Sequence, residues 1–165
     1  MDGLNQTRSQ DPFAQSIELA AGLCRHFEGF RSRPYICPAG YPTQGFGTVY
    51  KPDGTRVAMG DPPISRNVAE EWLLSELRTN YGMGVLRTSP NLIRHPKALA
   101  AAIDFAYNLG VSRYRASTLR KRLEADDWGG AKEQFMRWTK AGGRELPSRK
   151  STRLNSSHEF VSRMP

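Results

Sequence analysis

Residues 28–47, EGFRSRPYICPAGYPTQGFG, hold three groups whose types and spacing could do chemistry: the carboxyl of Glu28, the thiol of Cys37 and the hydroxyl of Thr43. Cleaving a glycosidic bond needs an acid that protonates the leaving oxygen. It also needs a group on the other face of the sugar that steadies positive charge or directs water. Glu28 stands where helical spacing gives way to a segment rich in Pro and Gly. A carboxyl there would overlook the crevice between a helix and a sheet. Partial withdrawal from water lets such a carboxyl keep its proton to higher pH. The same position also suits a solvated helix-terminal glutamate, and spacing alone does not choose between the two. Cys37 offers a thiol, whose unperturbed pKa of about 8.5 predicts a neutral group at pH 7. It would serve as a weak acceptor for water, as a nucleophile in its thiolate minority, or as a small apolar filler.

The flanking pattern supplies the elements that must position these groups. Apolar residues recur at Ala14, Ile17, Ala20, Ala21, Cys24 and Phe27, which is helical spacing, and Gly29 is a plausible stop. From Pro34 to Pro63 the turns PAGYP, GFG, KPDG and GDPP separate short runs rich in Tyr, Val, Thr and Phe. That texture predicts a small antiparallel sheet. Helical patterns return after Ser65, a fair N-cap, with Val68, Trp72, Leu73 and Leu77 as a stripe. Pro96 suits the first turn of a helix over 96–108, with Leu99, Ala102, Ile103, Ala106 and Tyr107 facing inward. Ser112 and Ser117 read as N-caps of two short helices, and a last helix spans Trp128 to Trp138. Trp72, Trp128 and Trp138 fall on apolar faces and read as core. The order predicts an α+β fold with segregated parts.

Composition narrows the classes. Of the 165 residues 38% are hydrophobic, enough for one globular domain with a core. No apolar run approaches the ~18 residues of a membrane span. The polar N-terminus MDGLNQTRSQDPF lacks a hydrophobic signal region, which predicts a chain made and kept in the cytoplasm. The net charge of +8 favours anionic partners, but no zinc-finger spacing, RNA-binding aromatic signature or long basic block accompanies it, so no nucleic-acid partner is expected. Cys24 and Cys37 are too few for a disulfide framework and form no CxxC pair.

The 28–47 segment resembles the active-site segment of the phage-type (T4-like) lysozymes, glycoside hydrolase family 24. Their pattern is a helix ending in E-G, an acidic residue or Cys nine positions after the Glu, and a Thr six later that opens T-x-G-x-G. Glu28, Cys37 and Thr43 match both spacings. The likeness continues through PDG at 52–54, NLG at 108–110, STL at 117–119, FMRW and AGGRELP, ending at Pro147. It implies an α+β lysozyme-like fold, with a small antiparallel β lobe, a larger helical lobe and the active-site cleft between them. It implies Glu28 as general acid and Thr43, with Cys37, holding the attacking water, and it puts the Glu28 carboxylate near enough to Cys37 to push that thiol up. Tyr107, Asn108, Thr118 and Gln134 match positions that bind saccharide, with core packing and capping as plainer roles for Tyr107 and Thr118. The implied reaction is hydrolysis of the β-1,4 bond between N-acetylmuramic acid and N-acetylglucosamine in peptidoglycan, leading to host lysis. A lytic transglycosylase and a catalytically weak wall-binding protein are the alternatives. No metal or organic cofactor is implied. The expected protein is a monomer, held in the host cytoplasm until a holin-type lesion opens the way to the wall. One departure is Gln44, where the family carries an aliphatic residue; a polar side chain there must be hydrogen-bonded or exposed. Gly45 and Gly47 would allow tight strand geometry or close substrate approach.

The expected organisation is a mobile arm over 1–12, a helix over 13–29, a β lobe over 30–64, a helical lobe over 65–147 and a tail over 148–165. That tail, SRKSTRLNSSHEFVSRMP, departs from the family pattern, and from about residue 149 it resembles a sequencing adapter translated in frame. It is expected to be non-native and disordered. Its Arg149, Lys150, Arg153 and Arg163 outnumber its one acidic residue, Glu159, so part of the net charge belongs to it.

Overall fold

The computed structural model describes residues 11–139. The arm as far as residue 10, residues 140–147 of the expected helical lobe, the tail, and the side chains of Phe27, Trp138 and Thr139 lie outside the described residues.

Helix α1 runs Pro12–Glu28, starting one residue earlier than the spacing predicts. The cause is a cap: the Asp11 carboxylate accepts from the Phe13 amide at 2.9 Å, and Pro12 sits in the first turn. Its buried face is Ile17, Ala20, Ala21 and Cys24. Gly29, at φ 68°, ends it and turns the chain into strand β1, Arg31–Ile36. Strand β2, Pro42–Gly45, pairs antiparallel with β1 in the register Arg31↔Gly45, Tyr35↔Thr43 and Ile36↔Pro42, with an irregularity between Arg31 and Tyr35. Isolated bridges Gln44↔Thr48 and Tyr50↔Arg56 continue the sheet-like part, the second closed by the Pro52–Gly54 turn.

The helical part begins with α2, Arg66–Glu76, capped by the Ser65 hydroxyl as expected. A π-helical turn, Leu77–Gly82, then joins α2 to α3, Met83–Thr88. A short 3₁₀ turn, Pro90–Arg94, leads into α4, Pro96–Leu109. Every residue of α4 from Ala98 to Ala106 is buried. A helix buried around its circumference and apolar but for one residue, here Asp104, belongs in the middle of a core. α4 does so, packing on α1 and gathering Leu73, Leu77, Leu92, Leu119, Leu123 and Phe135 around Leu99, Ile103 and Phe105.

Helices α5, Val111–Ala116, α6, Thr118–Glu124, and α7, Trp128–Thr139, complete the described chain. Ser117 caps α6 as its sequence predicts, its hydroxyl accepting from the Arg120 amide at 3.1 Å. Ser112 does not cap α5: the helix begins one residue before it, with Gly110 as the cap position. Trp128 packs on the core cluster. Trp72 does not join that cluster; it is half-buried and lines a cavity of about 240 Å³ with Tyr50, Lys51, Ser75, Glu76 and Asn80. The architecture is a mostly helical α+β fold with a small antiparallel sheet.

Candidate functional site

Glu28 is the last residue of α1 and is half-buried. Because Gly29 reverses the chain into β1, and β1 pairs with β2, the end of the helix lies beside the turn that follows β2. That turn contains Gly47, at φ 98°, a backbone state that favours glycine. A Cβ on Gly47 would meet the Tyr107 hydroxyl at 3.2 Å and the Glu28 Cδ and Cγ at 3.7 Å. The glycine therefore keeps open the space into which the Glu28 carboxyl and the Tyr107 hydroxyl both reach. Tyr107 is fixed there because its hydroxyl donates to the Phe46 carbonyl at 3.1 Å, tying α4 to the sheet part.

Cys37 and Thr43 form a second cluster, at the other end of the β1–β2 pair. The Cys37 amide donates to the Tyr41 carbonyl at 2.9 Å, and the Gly40 amide to the Cys37 carbonyl at 2.8 Å. This tight turn brings the Thr43 hydroxyl to the Cys37 sulfur. The Thr43 hydroxyl also donates to the Tyr41 carbonyl at 3.0 Å. Its single proton can serve either partner, and its lone pairs stay available to accept.

The sequence predicts a Cys37 thiol pushed up by Glu28. The structure reverses the direction. Burial alone would raise it, but hydrogen bonds from the Tyr41 amide, the Thr43 hydroxyl and the amides of Ala39 and Cys37 together hold it below the ordinary thiol value. Glu28 is not among the causes. Cys24, by contrast, is fully buried on α1, and neither cysteine is joined in a disulfide. Thiolate is the reactive form. Iodoacetamide at neutral pH is therefore expected to label Cys37 and spare Cys24 in the folded protein, with mass spectrometry of the peptides as the check.

Gln44 is explained by its contacts. It is completely buried, and its Nε2 donates to the Ser32 carbonyl at 2.7 Å and the Pro62 carbonyl at 2.9 Å. A polar side chain thus clamps β2 to β1 and to the segment entering α2. Its Oε1 and the Thr48 hydroxyl have no partner among the described residues.

The remaining saccharide-binding candidates divide. Tyr107 joins Glu28 at Gly47. Asn108 is half-buried on α4 and turns its Nδ2 back to the Asp104 carbonyl at 2.7 Å. Thr118 is exposed at the start of α6, and Gln134 is half-buried on α7.

Two residues that the sequence analysis passes over stand close behind Tyr107. The ring of Tyr81 meets that of Tyr107 edge-on, with centroids 5.2 Å apart and planes at 67°. The Tyr81 hydroxyl bonds the carboxyl of Glu76, and burial pushes Glu76 up to about 7 and Tyr81 up to about 12. The only trace in the sequence is an acidic residue next to the core stripe Leu73 and Leu77. Among the described residues no group of His, Cys, Asp and Glu is arranged to hold a metal.

Comparison with known proteins gives concordant results. A family model described as phage lysozyme matches residues 25–155, past Pro147, where the recognisable motifs end. The chain is 29% identical over 127 residues to an endolysin of Acyrthosiphon pisum secondary endosymbiont phage 1, covering 76% of this chain and 82% of the relative. It is 30% identical over 118 residues to an endolysin of Salmonella phage P22, covering 70% and 77%. Among solved structures, an endolysin from Escherichia coli O157:H7 phage FAHEc1 superposes with a TM-score of 0.71 at 24% identity, over 92% of this chain and 94% of that one. The active form of the P1 phage endolysin superposes at 0.67 and 18% identity, over 87% and 83%. These two likenesses establish the shared fold.

Proposed function

The chain belongs to the phage lysozyme family, and from that premise we propose how it cuts peptidoglycan: Glu28 protonates the glycosidic oxygen, and Thr43 with Cys37 holds the water that attacks the sugar. It is an endolysin, a glycoside hydrolase of the lysozyme type acting on peptidoglycan. The bond is the β-1,4 link from N-acetylmuramic acid to N-acetylglucosamine. The observation that carries the acid assignment is the convergence of the Glu28 carboxyl and the Tyr107 hydroxyl on the open space at Gly47. A carboxyl held there, half-withdrawn from water at the junction of helix and sheet, can present its proton to a bound sugar.

On the other side of the scissile bond, the Thr43 hydroxyl donates to the Tyr41 carbonyl and keeps its lone pairs for a water proton. The Cys37 sulfur beside it is a second acceptor, strengthened by the amides that favour its thiolate. Water is then oriented with its own lone pair towards the anomeric carbon. Tyr107, Asn108, Thr118 and Gln134 supply the saccharide groove from the helical part, Tyr107 with the strongest support because it stands beside the acid.

Among the described residues no helix is long and apolar enough to cross a membrane. We place the protein as a monomer in the host cytoplasm until a holin-type lesion lets it reach the wall.

Mass spectrometry of digested peptidoglycan tests the reaction. Hydrolysis is expected to leave reducing muramic ends carrying the oxygen of water. Anhydro-muramic ends, formed by internal attack of the muramic hydroxyl, would replace the hydrolytic reading with a transglycosylase.

A further inference from the structure

We propose that Glu76 and Tyr81 are a positioning pair that holds Tyr107, and through it the space beside Glu28, in the geometry the reaction needs; this rests on the reading of Glu28 as the acid.

The argument begins with the helix between them. An α-helix places residues three or four apart on one face, so Glu76 and Tyr81, five apart, would diverge. The π-helical turn Leu77–Gly82 changes this: hydrogen bonds five residues long, such as the Met83 amide to the Arg78 carbonyl, stack residues at that spacing. The Tyr81 hydroxyl thereby reaches the Glu76 carboxyl. The turn also has a demanding position, Gly82, where a Cβ would lie 2.8 Å from the Leu77 carbonyl and 2.9 Å from the Phe13 ring. Sequence and packing both maintain this irregularity, and π turns are enriched at functional sites because they cost stability without one.

From Tyr81 the contact passes to Tyr107 through the edge-on ring pair at 5.2 Å. Tyr107 is also anchored by its hydroxyl on the Phe46 carbonyl at 3.1 Å. That hydroxyl and the Glu28 carboxyl lie within 4 Å of a common point at Gly47. The Tyr107 ring therefore touches the π turn on one side and the acid's surroundings on the other. A shift in Tyr81 moves Tyr107, and a shift in Tyr107 changes the space in which Glu28 meets the sugar. The buried carboxyl at the far end has an atom, Oε2, with no partner among the described residues. An unpartnered carboxyl oxygen costs stability, and an apolar side chain there would avoid that cost.

The test uses the full chain and soluble uncrosslinked glycan strands, so that kcat and KM are read separately. Tyr81→Phe keeps the ring pair and removes the bond to Glu76. It is expected to lower kcat about fivefold with KM unchanged, because misplacement near the reacting atoms acts on the chemical step. Glu76→Leu is expected to match it, whereas Glu76→Gln, which keeps a hydrogen-bonding partner for Tyr81, is expected to stay within about twofold of wild type. Thermal melting of each variant identifies any that fails to fold, and Tyr81→Phe, the mildest change, carries the decision in that case. A kcat within twofold of wild type for folded Tyr81→Phe overturns the proposal, as does a rise in KM alone. Glu28→Gln is assayed in parallel. If it is inactive while Tyr81→Phe is normal, only the positioning pair fails. If it stays active, the acid assignment fails first.

Discussion

Glu28→Gln is expected to slow the clearing of outer-membrane-permeabilised Gram-negative cells by about 10³-fold, the largest effect of any single substitution in this chain, since removing a general acid costs 10²–10⁴. The reasoning is local. Gln has the size and shape of Glu and can fill the same half-buried place at the end of α1. It can donate a hydrogen bond, but it cannot transfer a proton to the departing oxygen at neutral pH. The leaving group would then depart as an alkoxide. The contacts that build the site come from elsewhere: Gly29 makes the reversal, Tyr107 bonds the Phe46 carbonyl, and Gly47 leaves the space open. The variant should therefore fold, melt within a few degrees of wild type and still sediment with purified wall. Clearing at more than a tenth of the wild-type rate would remove Glu28 from the role of acid. A wild-type protein that binds wall and never clears it would leave only a wall-binding protein.

How far this was legible in the sequence depends on which physical signal each residue leaves. The apolar spacing in α1 and α4 is the direct imprint of burial, and both helices lie within a residue or so of where it puts them. Glu28 could be singled out because a helix stop and a change to Pro- and Gly-rich texture fall on the same place. Ser65 and Ser117 cap as read, because each immediately precedes its helix. Ser112 misled because Gly110, with no side chain to announce a cap, begins the helix instead. The π turn left no trace: periodicity assumes one pitch, and the pairing of Glu76 with Tyr81 exists only after that pitch changes. Trp72 illustrates the same limit. Its position on an apolar stripe predicts core, yet the Tyr50–Gly54 hairpin packs opposite and leaves a cavity there. Cys37 shows why the electrostatics of a site resist reading in one dimension. Its direction depends on three backbone amides and a hydroxyl gathered by a tight turn, and spacing along the chain reveals none of them.

Thr43→Val is expected to reduce kcat by about 10²-fold, the penalty of a misplaced reactant, while costing about 1 kcal/mol of stability, the net worth of one hydrogen bond. The two effects separate because of how the Thr43 hydroxyl is bonded. Thr43 is almost fully buried in β2, so Val, which has the same shape, keeps the packing. The group left behind, the Tyr41 carbonyl, still accepts from the Cys37 amide at 2.9 Å and is not orphaned. What disappears is the acceptor that fixes a water proton. Cys37 remains beside the gap with its thiol still favoured towards the charged form by the neighbouring amides, so some orientation of water survives. That is why the loss should be smaller than for Glu28→Gln. Thr43→Ser restores the oxygen without the methyl group and should recover most of the rate. Single-turnover cleavage of soluble glycan strands, with thermal melts of the same preparations, reads both quantities. A Thr43→Val protein with wild-type kcat would leave water to be held by other groups. Failure of Thr43→Ser to recover the rate, with folding intact, would point to the methyl group and to packing of the turn rather than to the hydroxyl.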